Sequence, residues 1–271
     1  MTYKLTEEEK IKKAQIEKDM SSFDPSWESR GRRFFRMLPS DPRCATCLAP
    51  FTGPGATFVK AIFNKEPSKM NPLMCNTCEE ALRRYHFGVE VEMSMLFADI
   101  RGSTTLAETM AHIEFRNLID RFYTETTHVL MHSMAMIDKL AGDEVSGYYV
   151  PGIAGKDFAQ LSVQAAQDLL RVTGHADPEG PWAPVGVGIH TGVAYFGAVG
   201  SRDDMVELTA LGDAVNIAAR LGSEADAGEV VISNETAQKA GVDTSVLEKR
   251  TVELKGKREP MDVWVMKVRA V

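Results

Sequence analysis

Residues 93–105 read MSMLFADIRGSTT, and the rest of the chain is interpreted outward from them. Met93, Met95, Leu96, Phe97 and Ala98 make a nearly unbroken apolar run, the pattern of a strand buried on both faces, with Asp99 at its carboxyl end. Gly102 permits a tight turn, after which Ser103 or Thr104 can cap a helix carrying Leu106 and Met110. Free N–H groups at such a helix start attract anions, while an adjacent carboxylate repels them unless a cation lies between. The stretch points to a metal with phosphate, or to an ordinary capping Asp in a strand-to-helix turn. Other parts of the chain must decide.

At 271 residues and 44% apolar content, the chain can hold one sizeable domain plus a small one. Thirty-one basic against thirty-eight acidic residues give a net charge of −7, which argues against a general affinity for nucleic acid or anionic membrane. Arg30, Arg32, Arg33, Arg36 and Arg43 form a local exception, read as a solvated face. No apolar run reaches the roughly 18 residues that a membrane span needs, and MTYKLTEEEK lacks a signal peptide's hydrophobic region, so a cytoplasmic protein is expected. The four cysteines form two C-x-x-C pairs, which in a reducing compartment point to a metal site.

Three segments follow: a helical arm over 1–38, a cysteine module over 39–88 and a larger domain over 89–271. In the arm, Thr6 and Glu9 make a capping box for a short helix read as a frayed, solvated one. Trp27, Phe34, Phe35, Met37 and Leu38 make the next stretch apolar enough to dock, and Pro39 stops it. In the module, Cys44, Cys47, Cys75 and Cys78 suit a tetrahedral four-thiolate zinc site, with an iron–sulfur cluster as the alternative. The pairs are separated by a loop rich in Gly, Pro and Lys, and the second pair leads into a helix.

From Val89 long elements alternate. Ile113, Leu118, Ile119, Phe122, Thr126, Val129 and Leu130 recur at helical spacing. Met134–Leu140 and Val145–Val150 read as a hairpin with Asp143 near its tip. A helix is expected over Lys156–Thr173, then a second strand pair, Val185–Ile189 and Val193–Val199, turning at His190-Thr191-Gly192. Met205–Thr209 reads as a strand, Gly212-Asp213 opens a helix through Asn216 and Arg220, and strands follow at Glu229–Ser233, Thr251–Leu254 and Val263–Met266 with a helix at Asn234–Ala240. This order predicts an α+β fold rather than a doubly wound sheet. Asp99 and Asp143 can converge beside such a sheet, and two acids with a triphosphate suit Mg²⁺ or Mn²⁺. Asn216 and Arg220, four apart, share a helix face.

Five blocks in order, FADIRGST (97–104), DKLAGDEV (138–145), VGIHTGVAYFGAVGS (187–201), LTALGDAVNIAARL (208–221) and ELKGK (253–257), closely resemble the catalytic domain of class III nucleotidyl cyclases. The resemblance implies a ferredoxin-like α+β domain, with a mostly antiparallel sheet flanked by helices, acting as a head-to-tail homodimer with interfacial sites. It implies that Asp99 and Asp143, with the Ile100 carbonyl, hold two Mg²⁺ or Mn²⁺ ions per site. Gly102, Ser103 and Thr104 are expected at the substrate's phosphates, Lys139 and Thr209 at its base, and Asn216 and Arg220 at the ribose and the transition state. One of Lys255 and Lys257 is expected at the terminal phosphates. The implied reaction is attack of the ribose 3′-oxygen on the α-phosphorus with loss of pyrophosphate, and no general base is evident.

Lys139 with Thr209 favours adenine, although the family also contains pyrimidine cyclases of antiviral defence. Glu144-Val-Ser-Gly-Tyr-Tyr149 departs from the short residue and Met that many relatives carry after the G-D step. The functions weighed are an ATP cyclase, a cyclase making cCMP or cUMP, an inactive nucleotide-binding module, and a zinc-dependent nucleic-acid binder. The last rests only on the cysteines and the arginine cluster, so the expected partners are a nucleoside triphosphate and a second copy of the chain, with no nucleic acid.

Overall fold

The apolar run ahead of Asp99 forms a strand with little exposed: Met93, Met95, Leu96 and Ala98 are fully buried and Phe97 nearly so. The computed structural model describes residues 6–21, 30–39, 42–69, 71–84, 87–200, 206–253 and 260–268. Its elements run α1 (Glu7–Ser21), α2 (Arg30–Met37), α3 (Gly53–Phe63), α4 (Asn76–Arg84), β1 (Gly88–Ile100), α5 (Ser103–Thr109), α6 (His112–His132), β2 (Met136–Ala141) and β3 (Glu144–Tyr149). They continue with α7 (Pro151–Ala154), α8 (Phe158–Val172), β4 (Val185–Gly200), β5 (Val206–Leu211), α9 (Asp213–Glu224), β6 (Glu229–Ser233), α10 (Asn234–Ala240), β7 (Glu248–Val252) and β8 (Met261–Lys267). The fold is α+β, as the order of elements implied.

The described residues divide into two compact units, one holding the chain up to Val91 with Val150–Lys156 and Tyr195–Ala210, the other holding the remainder. In the first, the capping box forms: the Thr6 amide donates to Glu9 Oε2 at 2.9 Å and the Glu9 amide donates to Thr6 Oγ1 at 3.3 Å. Helix α1, with most of its described side chains exposed, lies beside α7. Phe35 of α2 is buried edge-on against Phe63 of α3 at 5.4 Å between centroids. The helix α3 replaces the loop expected between the cysteine pairs. Its proline sits in the first turn, where a missing N–H costs nothing, and the apolar run after it continues the helix.

The strands lie in the order β2-β3-β1-β4-β6-β8-β7, with β5 paired to β4 off this path. β1 and β2 each run antiparallel to β3, and β8 antiparallel to β6 and β7, whereas β4 and β6 are parallel. In the second unit, α9 and the residue after it lay Ile217, Leu221 and Ala225 against Val231, Val252, Val263 and Val265. Where α9 meets β4, the strand carries Gly186 and Gly188. A Cβ at Gly188 would lie 1.9 Å from the Gly222 nitrogen, and one at Gly186 2.5 Å from the Ala225 carbonyl oxygen. The alternating glycines of this strand thus let helix backbone rest on strand backbone.

The turn expected at His190-Thr191-Gly192 is not made, because β4 is one strand of 16 residues. His190 and Thr191 are buried with polar partners: His190 Nδ1 lies 2.8 Å from Ser233 Oγ, and Thr191 Oγ1 lies 2.7 Å from Ser94 Oγ and accepts from Thr236 Oγ1 at 3.0 Å. Side chains from β1, β6 and α10 therefore satisfy residues that locally read as turn formers. Helix α8 starts after its expected first residue, with α7 ahead of it on a proline-led turn. Strand β7 ends earlier than expected, its register fixed by Thr251↔Asp262 and Val252↔Met261 pairing with β8. Trp27 and Leu254 lie outside the described residues.

Glu229, at the start of β6, is buried and joins three strands. Its Oε2 accepts from Arg250 Nη1 at 2.9 Å, and its Oε1 from Arg250 Nη2 at 3.0 Å, with Lys267 Nζ 3.1 Å from Oε1. Burial alone would raise its carboxyl, but hydrogen bonds from Arg250 and Lys267 prevail and hold it at about 2, below the usual 4.5. A depressed carboxylate contributes stability above its unfolded pKa and loses it as pH falls towards the folded one. Glu229→Gln is expected to cost about 3 kcal/mol at neutral pH, the scale for breaking a buried pair. Urea titrations should show this gap closing as pH falls from 4.5 towards 2; a pH-independent gap would contradict the ion-pair account.

Candidate functional site

The hairpin turn Gly142-Asp143 is drawn to the end of β1 by one backbone bond, from the Ile100 N–H to the Asp143 carbonyl at 3.1 Å. Pairing of Asp99 with Glu144 across β1 and β3 adds a third carboxylate beside Asp99 and Asp143. Burial pushes the Asp99 carboxyl up to about 6; Arg101 opposes this and the charges of Asp143 and Glu144 add to it. Glu144 is raised by burial and by Asp143, and Tyr123, whose hydroxyl donates to the Gly142 carbonyl at 2.8 Å, is raised by the same two causes.

Arg101 pairs with Asp99 Oδ2, while Asp99 Oδ1 is buried with no hydrogen-bond partner. A buried carboxylate oxygen without a donor, crowded by like charge, is the environment that a cation relieves. The donor set fits a hard divalent ion. Sequence reasoning passed over Arg101, which stands in the turn just after β1 and is placed beside Asp99 by the ion pair itself.

Arg101 also marks where α9 stands. Its Nη1 donates to the Ser223 carbonyl at 2.9 Å, so the carboxylates lie near the carboxyl end of that helix. Asn216 is seven residues earlier, about 10 Å along the axis at the helical rise. Asn216 is exposed and Arg220 half-buried, both off the face formed by Ala214, Ile217, Ala218 and Leu221. The structure therefore brings Asp99, Asp143 and Glu144 together but leaves Asn216 at the other end of α9.

Lys139 is exposed near the end of β2, and Thr209 is buried on β5. Gly102, not Ser103 or Thr104, is the N-cap of α5: its φ of 69° turns the chain without a side-chain cap, and both hydroxyl residues fall inside the helix. Lys255 and Lys257 lie outside the described residues.

The four cysteines converge. Their sulfurs all lie within 4.8 Å of one another, with Cys44 and Cys75 buried and none in a disulfide. The Cys47 and Cys75 sulfurs are 3.8 Å apart; ligands 2.3 Å from a single tetrahedral ion would be separated by about 3.8 Å. The Cys75 and Cys47 amides donate to Cys44 Sγ at 3.2 and 3.5 Å, so the backbone is already arranged for a thiolate. Lys65 Nζ lies 3.6 Å from Cys75 Sγ; burial works against its charge, but the sulfurs outweigh that and raise its pKa.

Comparison with known proteins accords with this architecture. An adenylate cyclase of Mycobacterium tuberculosis is 33% identical over 171 residues, covering 61% of this chain and 37% of that protein. The chain thus spans about a third of the length of the curated relatives that it matches first. The crystal structure of the guanylyl cyclase Cya2 superposes with a TM-score of 0.59 at 25% identity, covering 66% of this chain and 92% of that one. That of the adenylyl cyclase CyaB from P. aeruginosa gives 0.57 at 26% identity, covering 67% and 97%. Residues 89–267 match the adenylate and guanylate cyclase catalytic domain, and the chain belongs to that family.

Proposed function

We propose that the domain from residue 89 onward cyclises a nucleoside triphosphate, ATP foremost, to the 3′,5′-cyclic nucleotide and pyrophosphate, as a homodimer with sites shared between chains. The observation that carries this is the Asp99–Asp143 cluster, with its open buried oxygen, at the opposite end of α9 from Asn216. A chain whose acids and ribose-orienting residue stand apart can complete a site by facing a second copy. The relatives named as adenylate cyclases support ATP as the substrate.

Asp99, Asp143 and the Ile100 carbonyl would hold two Mg²⁺ or Mn²⁺ ions. Bound there, such ions ease ionisation of the ribose 3′-hydroxyl and neutralise charge on the leaving pyrophosphate. Lys139 and Thr209 orient the base, and Asn216 holds the ribose so that its 3′-oxygen faces the α-phosphorus. Arg220 suits the transition state because a planar, permanently charged fork can follow oxygens around a five-coordinate phosphorus. Gly102, Ser103 and Thr104 adjoin the acids in the chain and fall to the phosphates, as does one of Lys255 and Lys257. Enclosure and orientation contribute the rest.

The test is mass-spectrometric product detection after incubation with Mn²⁺ and equal ATP, GTP, CTP and UTP. Cyclic AMP as the main product supports the whole proposal. Cyclic CMP or UMP would keep the chemistry and overturn the base assignment. No product from a folded dimer would overturn the cyclase function.

The cysteine module over 39–88 is proposed to hold one Zn²⁺ through Cys44, Cys47, Cys75 and Cys78 as its structural support. Elemental analysis should find one zinc per chain, and Cys75→Ser should weaken its retention by at least about 100-fold and lower the melting temperature. Iron in its place, with visible absorption, would overturn the zinc assignment. Among the described residues no helix is long and apolar enough to cross a membrane, and a cytoplasmic site of action is proposed with the rest.

A further inference from the structure

The hairpin that carries Lys139 is irregular next to that residue. β2 and β3 pair as Met136↔Tyr148 and Ile137↔Gly147, and then as Leu140↔Val145 and Ala141↔Glu144. Asp138 and Lys139 therefore face the single residue Ser146, which is a bulge. Bulges re-aim the side chains that they carry, and a ladder that slips by one residue turns those side chains to the other face. Something must hold this bulge in its place.

The Asp138 carboxylate spans it. Its Oδ2 accepts from the Tyr148 hydroxyl at 2.8 Å and from Ser146 Oγ at 3.3 Å. Both donors are 2% exposed, so water is poorly able to replace the carboxylate. The other oxygen, Oδ1, is buried with no hydrogen-bond partner, an unsatisfied acceptor of the kind that calls for an explanation beyond packing. Lys139, next in the chain, is exposed.

We propose that Asp138 is a positioning residue for base recognition: clamped by Tyr148 and Ser146, it fixes the direction in which Lys139 leaves the strand. The inference rests on Lys139 reading the base. It also gives Ser146 and Tyr148, part of the segment that departs from the pattern of many relatives, a task in the site. Neither they nor Asp138 need touch the substrate.

The test compares kcat/KM for the four nucleoside triphosphates in the full-length wild type and in Lys139→Ala, Asp138→Ala and Tyr148→Phe. The readout is the ratio of the preferred nucleotide to the next best. Lys139→Ala should abolish the preference. Asp138→Ala and Tyr148→Phe should each reduce it at least about 10-fold, the scale of a misplacement of less than an ångström. Tyr148→Phe is nearly isosteric, so it gives an answer even if Asp138→Ala fails to fold. A preference lost in Lys139→Ala but intact in Tyr148→Phe and in any folded Asp138→Ala would overturn the positioning role and leave base reading by Lys139 standing. A preference that survives Lys139→Ala would overturn base reading and this proposal together.

Discussion

Asp99→Ala and Asp143→Ala should each lower kcat by at least about 1,000-fold, more than 4 kcal/mol of transition-state stabilisation, while leaving a folded dimer. Neither side chain belongs to the apolar core, and Asp99 Oδ1 has no hydrogen-bond partner to lose. Near-normal turnover in either variant would refute the metal assignment. Arg220→Ala should be as inactive, for want of charge at the phosphorus. If each site takes its acids from one chain and Arg220 from the other, mixing Asp99→Ala with Arg220→Ala rebuilds one intact site in every mixed dimer. With random exchange, half of the dimers are mixed, so activity should return to about a quarter of wild type. Mixed dimers that form and remain inactive would argue against shared sites.

The second large effect is structural. Gly188→Ala should cost about 4 kcal/mol or more, and Gly188→Val should abolish cooperative unfolding, because the added carbon meets backbone that cannot step aside. The built Cβ lies 1.9 Å from the Gly222 nitrogen and 2.3 Å from the Leu221 carbonyl carbon. Gly147 is the control: there the nearest atom is a Leu130 methyl at 3.3 Å, which can move. Urea denaturation should therefore rank Gly188→Ala far below Gly147→Ala. Equal midpoints would mean that α9 does not rest on β4 as described.

The parts of the fold that were legible are those where a local signal and the tertiary demand coincide. The double-sided apolar run gave β1, the Gly-Asp turn between alternating residues gave the β2–β3 hairpin, and apolar β-branched residues ahead of Ser233 gave β6, with that serine capping α10 through the Thr236 amide at 3.2 Å. The misses share an opposite cause. His190-Thr191-Gly192 carries every local mark of a turn and is held straight by Ser94, Ser233 and Thr236, which are distant in sequence. The loop expected between the cysteine pairs was inferred from composition, although its proline falls at a helical start.

At the site, the carboxylates could be named from sequence because strand ends and hairpin tips are where such groups gather. Arg101 and Asp138 could not be weighed so easily, since their importance lies in what they touch. For Asp138 that is a hydroxyl ten residues away.

Helix α5, which follows Asp99, has no buried residue and no side-chain cap, whereas α9 sits backbone-on-backbone against β4. Local stability in the catalytic domain is therefore uneven by construction: opening α5 exposes little apolar surface beyond half-buried Leu106 and Ala107, whereas releasing α9 dismantles the core. Amides of α5 belong to the fast-exchanging end of the hydrogen-exchange spectrum and those of α9 to the slow end. Under the proposed function, a nucleotide engaging both helices would spend part of its binding free energy ordering the first of them.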